Sequence, residues 1–141
     1  METPPVQSIM IVDDEKSFAE MIGLLMKEQL TSPVLTFTHP ADALKQLPSL
    51  QPGIVVTDYY MPDMNGLDLI RAVQAIAPGT PCILITGHLF NLDDYSLDNL
   101  KSLKAVLPKP FRWQQLADMI ELHWVGDNPP SRRINPDTRS L

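Results

Sequence analysis

Five short apolar runs alternate along the chain with stretches whose apolar residues recur at helical spacing. The runs fall at 8–12, 34–37, 54–57, 82–86 and 105–107. The first, third and fourth are rich in Val and Ile and do not alternate with polar residues, as expected of strands buried on both faces. Between the first two, 17–30 places Phe18, Met21, Ile22, Leu25 and Met26 on one stripe of a helix. A second helix over 41–47 follows Pro40, which suits a first helical position with Thr38 or His39 as cap. Helices over 67–76 and 112–124 turn inward Leu67, Ile70 and Val73 with Ile76 or Leu69, and Leu116, Ile120 and His123. A further helix is expected within 93–103, where Tyr95, Leu97, Leu100 and Leu103 are the only apolar anchors. Strand and helix in strict alternation imply parallel strands joined by right-handed crossovers, so the expected fold class is α/β, a doubly wound five-stranded parallel sheet with five helices. The folded domain is expected over 6–124, and 125–141 reads as a linker-like or disordered tail because Gly126, Pro129 and Pro130 break any periodicity.

Composition narrows the class. A chain of 141 residues with 44% apolar content fits one globular domain. No apolar run approaches the roughly 18 residues of a membrane-spanning helix, and Met1 to Pro5 lack a leader pattern, so the expected address is cytoplasmic with no membrane partner. Cys82 lies inside the fourth apolar run and reads as a small buried hydrophobe. Met21, Met26 and Met119 read as core filler, and Trp113 and Trp124 as packing on the last helix, with Trp113 also a candidate for a partner surface. The net charge of −6 excludes the clustered basic surface that non-specific nucleic-acid binding needs, so no direct nucleic-acid contact is expected.

The chemistry gathers at the carboxyl ends of the runs, where open α/β sheets build their sites. Asp13 and Asp14 follow the first run, Asp58 follows the third, Thr86 with Gly87 and His88 ends the fourth, and Lys109-Pro110-Phe111 follows the fifth. Three carboxylates at one sheet edge repel one another and call for a cation. A hard divalent ion such as Mg²⁺ answers with oxygen ligands. Lys109 adds a fixed positive charge and Thr86 a hydroxyl donor. Such a set surrounds the oxygens of a phosphoryl group placed on Asp58, and carboxylates are competent nucleophiles for phosphoryl transfer.

Asp13-Asp14, Asp58 with Met61-Pro62 and Gly66, Thr86 and Lys109-Pro110-Phe111 together resemble the receiver domain of bacterial two-component response regulators, of the chemotaxis-regulator kind. The resemblance implies a flavodoxin-like sheet of order 2-1-3-4-5. It implies that Asp58 takes a phosphoryl group from a histidine kinase or phosphotransfer protein, as a signalling phosphoacceptor rather than an enzyme. Asp13, Asp14, Asp58 and the backbone carbonyl of Tyr60 would hold Mg²⁺, Thr86 and Lys109 would engage the phosphate, and Pro110 matches a cis-proline position. Side chains at Tyr60 and His88 would tune phosphate lifetime. Output would pass to a downstream protein or output domain, with a homodimer through the fourth helix, fifth strand and fifth helix as one form. Val106 departs from the pattern, since an aromatic residue is usual three positions before the Lys, so an atypical readout around the fourth and fifth strands is expected. The alternative is a degenerate receiver that binds proteins without phosphate. A phosphatase of the haloacid-dehalogenase kind would need an acid where Tyr60 stands.

Overall fold

A computed structural model of the chain describes residues 6–87, 97 and 99–133. Its strands are β1 (Ile9–Val12), β2 (Val34–Phe37), β3 (Ile54–Asp58), β4 (Cys82–Thr86) and β5 (Leu103–Pro108), and its helices are α1 (Lys16–Gln29), α2 (Pro40–Leu50), α3 (Gly66–Ile76) and α4 (Trp113–His123). The strands form one parallel sheet in the order β2-β1-β3-β4-β5. That is the expected doubly wound, flavodoxin-like arrangement.

Side chains alternate across a strand, so each buried strand feeds two cores. Ile9, Ile11, Ile54, Val56, Ile83, Ile85 and Leu107 pack with Ile22, Met26, Leu116 and Ile120 of α1 and α4. Met10, Val12, Val55, Cys82 and Leu84 pack with Ala43, Leu47, Leu67, Leu69, Ile70 and Val73 of α2 and α3 on the other face. This two-sided burial is why the runs read as continuous rather than alternating.

The helix count among the described residues is four, one fewer than the five expected. Of the helix expected within 93–103, residues 93–96 and 98, Tyr95 among them, lie outside the described residues. Where that segment is described it is not helical: 99–102 form a turn and Leu103 opens β5, which is longer than the run at 105–107 suggests. On α1 the buried residues are Ala19, Ile22, Gly23 and Met26, whereas Met21 is 50% exposed and is not core filler. On α3 the choice between Leu69 and Ile76 falls to Leu69, which is fully buried. His39 occupies the cap position of α2 without a capping side-chain bond.

Residues after Trp124 lie against the body as far as Arg133. The Ser131 carbonyl accepts a hydrogen bond from the Thr31 amide at 3.0 Å, and the Arg133 amide donates to the Gln29 carbonyl at 2.7 Å. The Arg133 guanidinium donates to the carbonyls of Lys27 and Leu30, capping the end of α1. Arg132 pairs with Asp118 and Glu121 on α4. No helix among the described residues is long and apolar enough to cross a membrane.

Candidate functional site

Parallel register brings the ends of β1, β3, β4 and β5 to one edge. Asp13 and Asp14 leave β1 directly after Val12, Asp58 is the last residue of β3, Thr86 the last of β4, and Lys109 follows Pro108 of β5. The first turn is fixed by the Asp13 amide donating to the Phe37 carbonyl at 3.0 Å and by the Asp13 carboxylate accepting from the Glu15 amide at 2.9 Å. Next to it, the Tyr59 amide donates to the Ile85 carbonyl at 2.8 Å, so the turn after Asp58 is stitched to β4. Across β4, the Lys109 amide donates to the Thr86 carbonyl at 2.7 Å. The Lys109–Pro110 peptide is cis, as the Lys-Pro-Phe motif implies.

Gly66 shows why the third crossover begins with the smallest residue. A Cβ there would lie 2.5 Å from the Asp58 carbonyl oxygen and 2.6 Å from Leu84 Cδ1. The helix that follows is started by the Asn65 side chain, which accepts from the Asp68 amide at 2.8 Å.

Carboxylate oxygens of Asp13, Asp14 and Asp58 all lie within 4.8 Å of one another. Asp13 is 3% exposed and Asp58 8%, while Asp14 faces solvent. Burial, and after it the neighbouring Asp58 and Asp14 charges, pushes the Asp13 carboxyl up to about 6, against the Glu15 amide and the Lys109 ammonium, which pull the other way. Lys109 Nζ stands 3.1 Å from Asp58 Oδ1. Two or three hard oxygen donors, one of them costly to ionise alone, suit a divalent cation of the Mg²⁺ type. A bound cation together with the Lys109 ammonium would neutralise that cluster, an arrangement that can stabilise negative charge gathering at Asp58.

Of the residues expected at the site, Asp13, Asp14, Asp58, Thr86 and Lys109 meet at this edge, with Thr86 buried. Tyr60 is 54% exposed and its ring meets Tyr59 edge-on at 4.8 Å. His88 lies outside the described residues. Val106 is half-buried, packed on the cluster that holds Leu84 and Leu100. Phe18 reads in the sequence only as part of the α1 stripe, yet its ring sits 4.1 Å from Lys109 Nζ. Its place in the first turn of α1, close behind Asp13 and Asp14, is the one local signal that links it to the site. Phe18, Met21, Ile22 and Leu25 face Pro110, Phe111 and Trp113 across a groove of about 880 Å³ that reaches Lys109 and Gly87. Cys82, as expected, is an inert core thiol, pushed up to about 12 by burial despite the opposing charge of Lys104.

A family model described as the response regulator receiver domain matches residues 9–121. The chain is 32% identical over 134 residues to the DNA-binding transcriptional regulator NtrC of Proteus hauseri, an alignment covering 91% of this chain and 27% of that protein. It is also 32% identical to the DNA-binding response regulator MtrA of Mycolicibacterium paratuberculosis, covering 92% of this chain and 56% of the relative. The chain thus spans about a quarter to just over half of these relatives. Among solved structures, a receiver domain protein from Clostridium thermocellum superposes with a TM-score of 0.70 at 28% identity, covering 80% of this chain and 90% of that one. The response regulator StyR superposes at 0.74 with 30% identity, covering 85% and 60%.

Proposed function

This chain belongs to the response regulator receiver domain family, and from that premise we propose that Asp58 accepts a phosphoryl group and that the resulting charge switches binding to a protein partner. The observation that carries the proposal is the Lys109 ammonium 3.1 Å from Asp58 Oδ1, beside two further carboxylates whose oxygens lie within 4.8 Å. In the step, a carboxylate oxygen of Asp58 attacks phosphorus and forms an O–P bond. The donor's P–N bond breaks, and its electron pair stays on the imidazole of a histidine kinase or phosphotransfer protein. The product is an acyl phosphate on Asp58. Lys109 compensates charge on the phosphoryl oxygens, and the Thr86 hydroxyl is within the same edge to donate to one of them. Asp13, Asp14, Asp58 and the Tyr60 carbonyl would hold Mg²⁺, which supplies neutralisation of the carboxylate cluster and of the incoming phosphate. Tyr60, and His88 beyond the described residues, would tune how long the phosphate survives.

The reading is of a signalling phosphoacceptor in the cytoplasm and not of a turnover enzyme. The acyl phosphate carries about −1.5 to −2 of charge where the carboxylate carried −1, so the sheet edge gains roughly one further negative charge, and a downstream protein or an output domain reads the change. The relatives named above are DNA-binding regulators, so an attached output domain is one partner; with a net charge of −6, this domain itself makes no nucleic-acid contact. Homodimerisation through the outer β5 and α4 face is a second form of output. The test is incorporation of labelled phosphate from acetyl phosphate into wild type and Asp58→Asn, with and without Mg²⁺. Label is expected only on wild type with Mg²⁺; equal labelling of Asp58→Asn would sink the proposal.

A further inference from the structure

We propose that Phe18 is a positioning residue for Lys109, its ring holding the lysine ammonium against Asp58 before a phosphoryl group arrives. The inference rests on the phosphoacceptor reading of Asp58 and adds a residue from α1 to that site. Lys109 Nζ lies 4.1 Å from the centroid of the Phe18 ring and 3.1 Å from Asp58 Oδ1, so the ammonium has one partner in the carboxylate and another in the ring. A cation this close to an aromatic face is held by the ring quadrupole, and contacts out to about 6 Å count. The ring in turn is fixed by Phe111, nearly perpendicular to it at 88° with centroids 6.4 Å apart. Phe111 is two residues after Lys109, so the connection between β5 and α4 that carries the ammonium also clamps the ring that receives it.

The physical need is clear from the side chain itself. A lysine stem has four rotatable carbons, and its side-chain freedom is costly to freeze. Lys109 is only partly buried, with 27% of its side chain exposed, so solvent alone would let it swing away from the edge. A flat, polarisable surface on α1 narrows that swing without introducing a rival charge beside Asp58. An aliphatic residue at position 18 would fill the groove wall alongside Met21 and Trp113 but would offer the ammonium nothing.

Three variants separate this role from simple packing. In wild type and in Phe18→Tyr, NMR should show the Lys109 ε-methylene protons moved upfield by the ring, and in Phe18→Leu returned toward the random-coil position. Labelling by acetyl phosphate with Mg²⁺, a donor too small to need the groove, should slow about two- to fivefold in Phe18→Leu and recover in Phe18→Tyr. In a Lys109→Gln background, Phe18→Leu should leave the already reduced rate unchanged within the error of the assay. The proposal is overturned if wild type shows no upfield shift, if Phe18→Leu labels at the wild-type rate, or if it slows both backgrounds equally. Should Phe18→Leu fail to fold, the wild-type shift and the Phe18→Tyr rate decide. A wild type that takes no label while keeping the shifted Lys109 protons would instead remove the phosphoacceptor reading and leave the contact standing.

Discussion

Asp13 carries the sharpest consequence at the scale of single residues. Its carboxyl is pushed from 3.8 to about 6, chiefly by burial. A folded value above the unfolded one means that the folded state holds the proton more tightly. Without metal, this group's contribution to stability therefore falls as pH rises from about 4 to about 6, and above that the full cost of a buried charge applies. The cost is on the order of 3 kcal/mol. Asp13→Asn keeps an oxygen that accepts from the Glu15 amide. Urea titrations without metal should show it more stable than wild type at pH 7.5, with the gain vanishing near pH 4. Mg²⁺ should stabilise wild type above pH 6 and do so much less for Asp13→Asn. A wild-type stability that climbs steadily from pH 4 to pH 7.5 while Asp13→Asn stays flat would contradict this sign. Gly66 is constrained by space rather than charge. Because an added methyl would press on the Asp58 carbonyl and on Leu84, Gly66→Ala should lose about 1–3 kcal/mol, read from the urea midpoint. Asp13, Asp58 and Lys109 are legible in the sequence alone, since an acid or a lysine at the carboxyl end of a buried strand has one place to go. The role of Phe18 is not, because its contact crosses from a helix to a strand end far along the chain and leaves no local period.

At the scale of elements, the strands that feed both cores are the plainest in the sequence, and their bounds differ from the apolar runs by a residue or so. β1 begins one residue later than its run, at Ile9, and β3 extends to Asp58. β5 is longer than its run because Leu103 and Pro108 flank an apolar core of only three residues. Met21 departs from the expected core because a helical stripe wide enough to include it overhangs the groove beside Phe111 and Trp113. The segment after Trp124 looks linker-like in sequence because its contacts pair residues roughly a hundred positions apart, which no window along the chain can reveal. Those contacts bear on stability. The carbonyls at the end of α1 take their donors from Arg133, and Arg132 ties the same segment to α4. A chain ending at residue 125 should be less stable than the full chain by about 1–3 kcal/mol, the range for losing a few hydrogen bonds to charged and backbone groups. An unchanged urea midpoint would place the boundary of the folded domain at residue 124 after all.

The whole molecule is a sheet with two unlike ends, and its two tryptophans mark them. Trp113 stands on the groove that reaches Lys109 and Gly87 at the carboxyl ends of the strands, and the Arg132 guanidinium lies 5.4 Å from its ring. Trp124 packs on Gly53, just before β3 begins, at the opposite end. Its indole N–H is buried and makes no hydrogen bond among the described residues, so Trp124→Phe removes no such partner there. Val106 offers no ring to swing between solvent and core, and it already packs on the α2–α3 side of the sheet. On the proposed function, one route from Asp58 runs through Lys109, which touches Phe18 and borders the Trp113 groove. Beryllofluoride with Mg²⁺, a stand-in for the aspartyl phosphate, should therefore alter the fluorescence of Trp124→Phe, where Trp113 is the only indole. It should leave the indole emission of Trp113→Phe, where Trp124 is the one remaining indole, unchanged. A response confined to Trp113→Phe would mean that the signal runs through the sheet to its far end and not along the groove between α1 and α4.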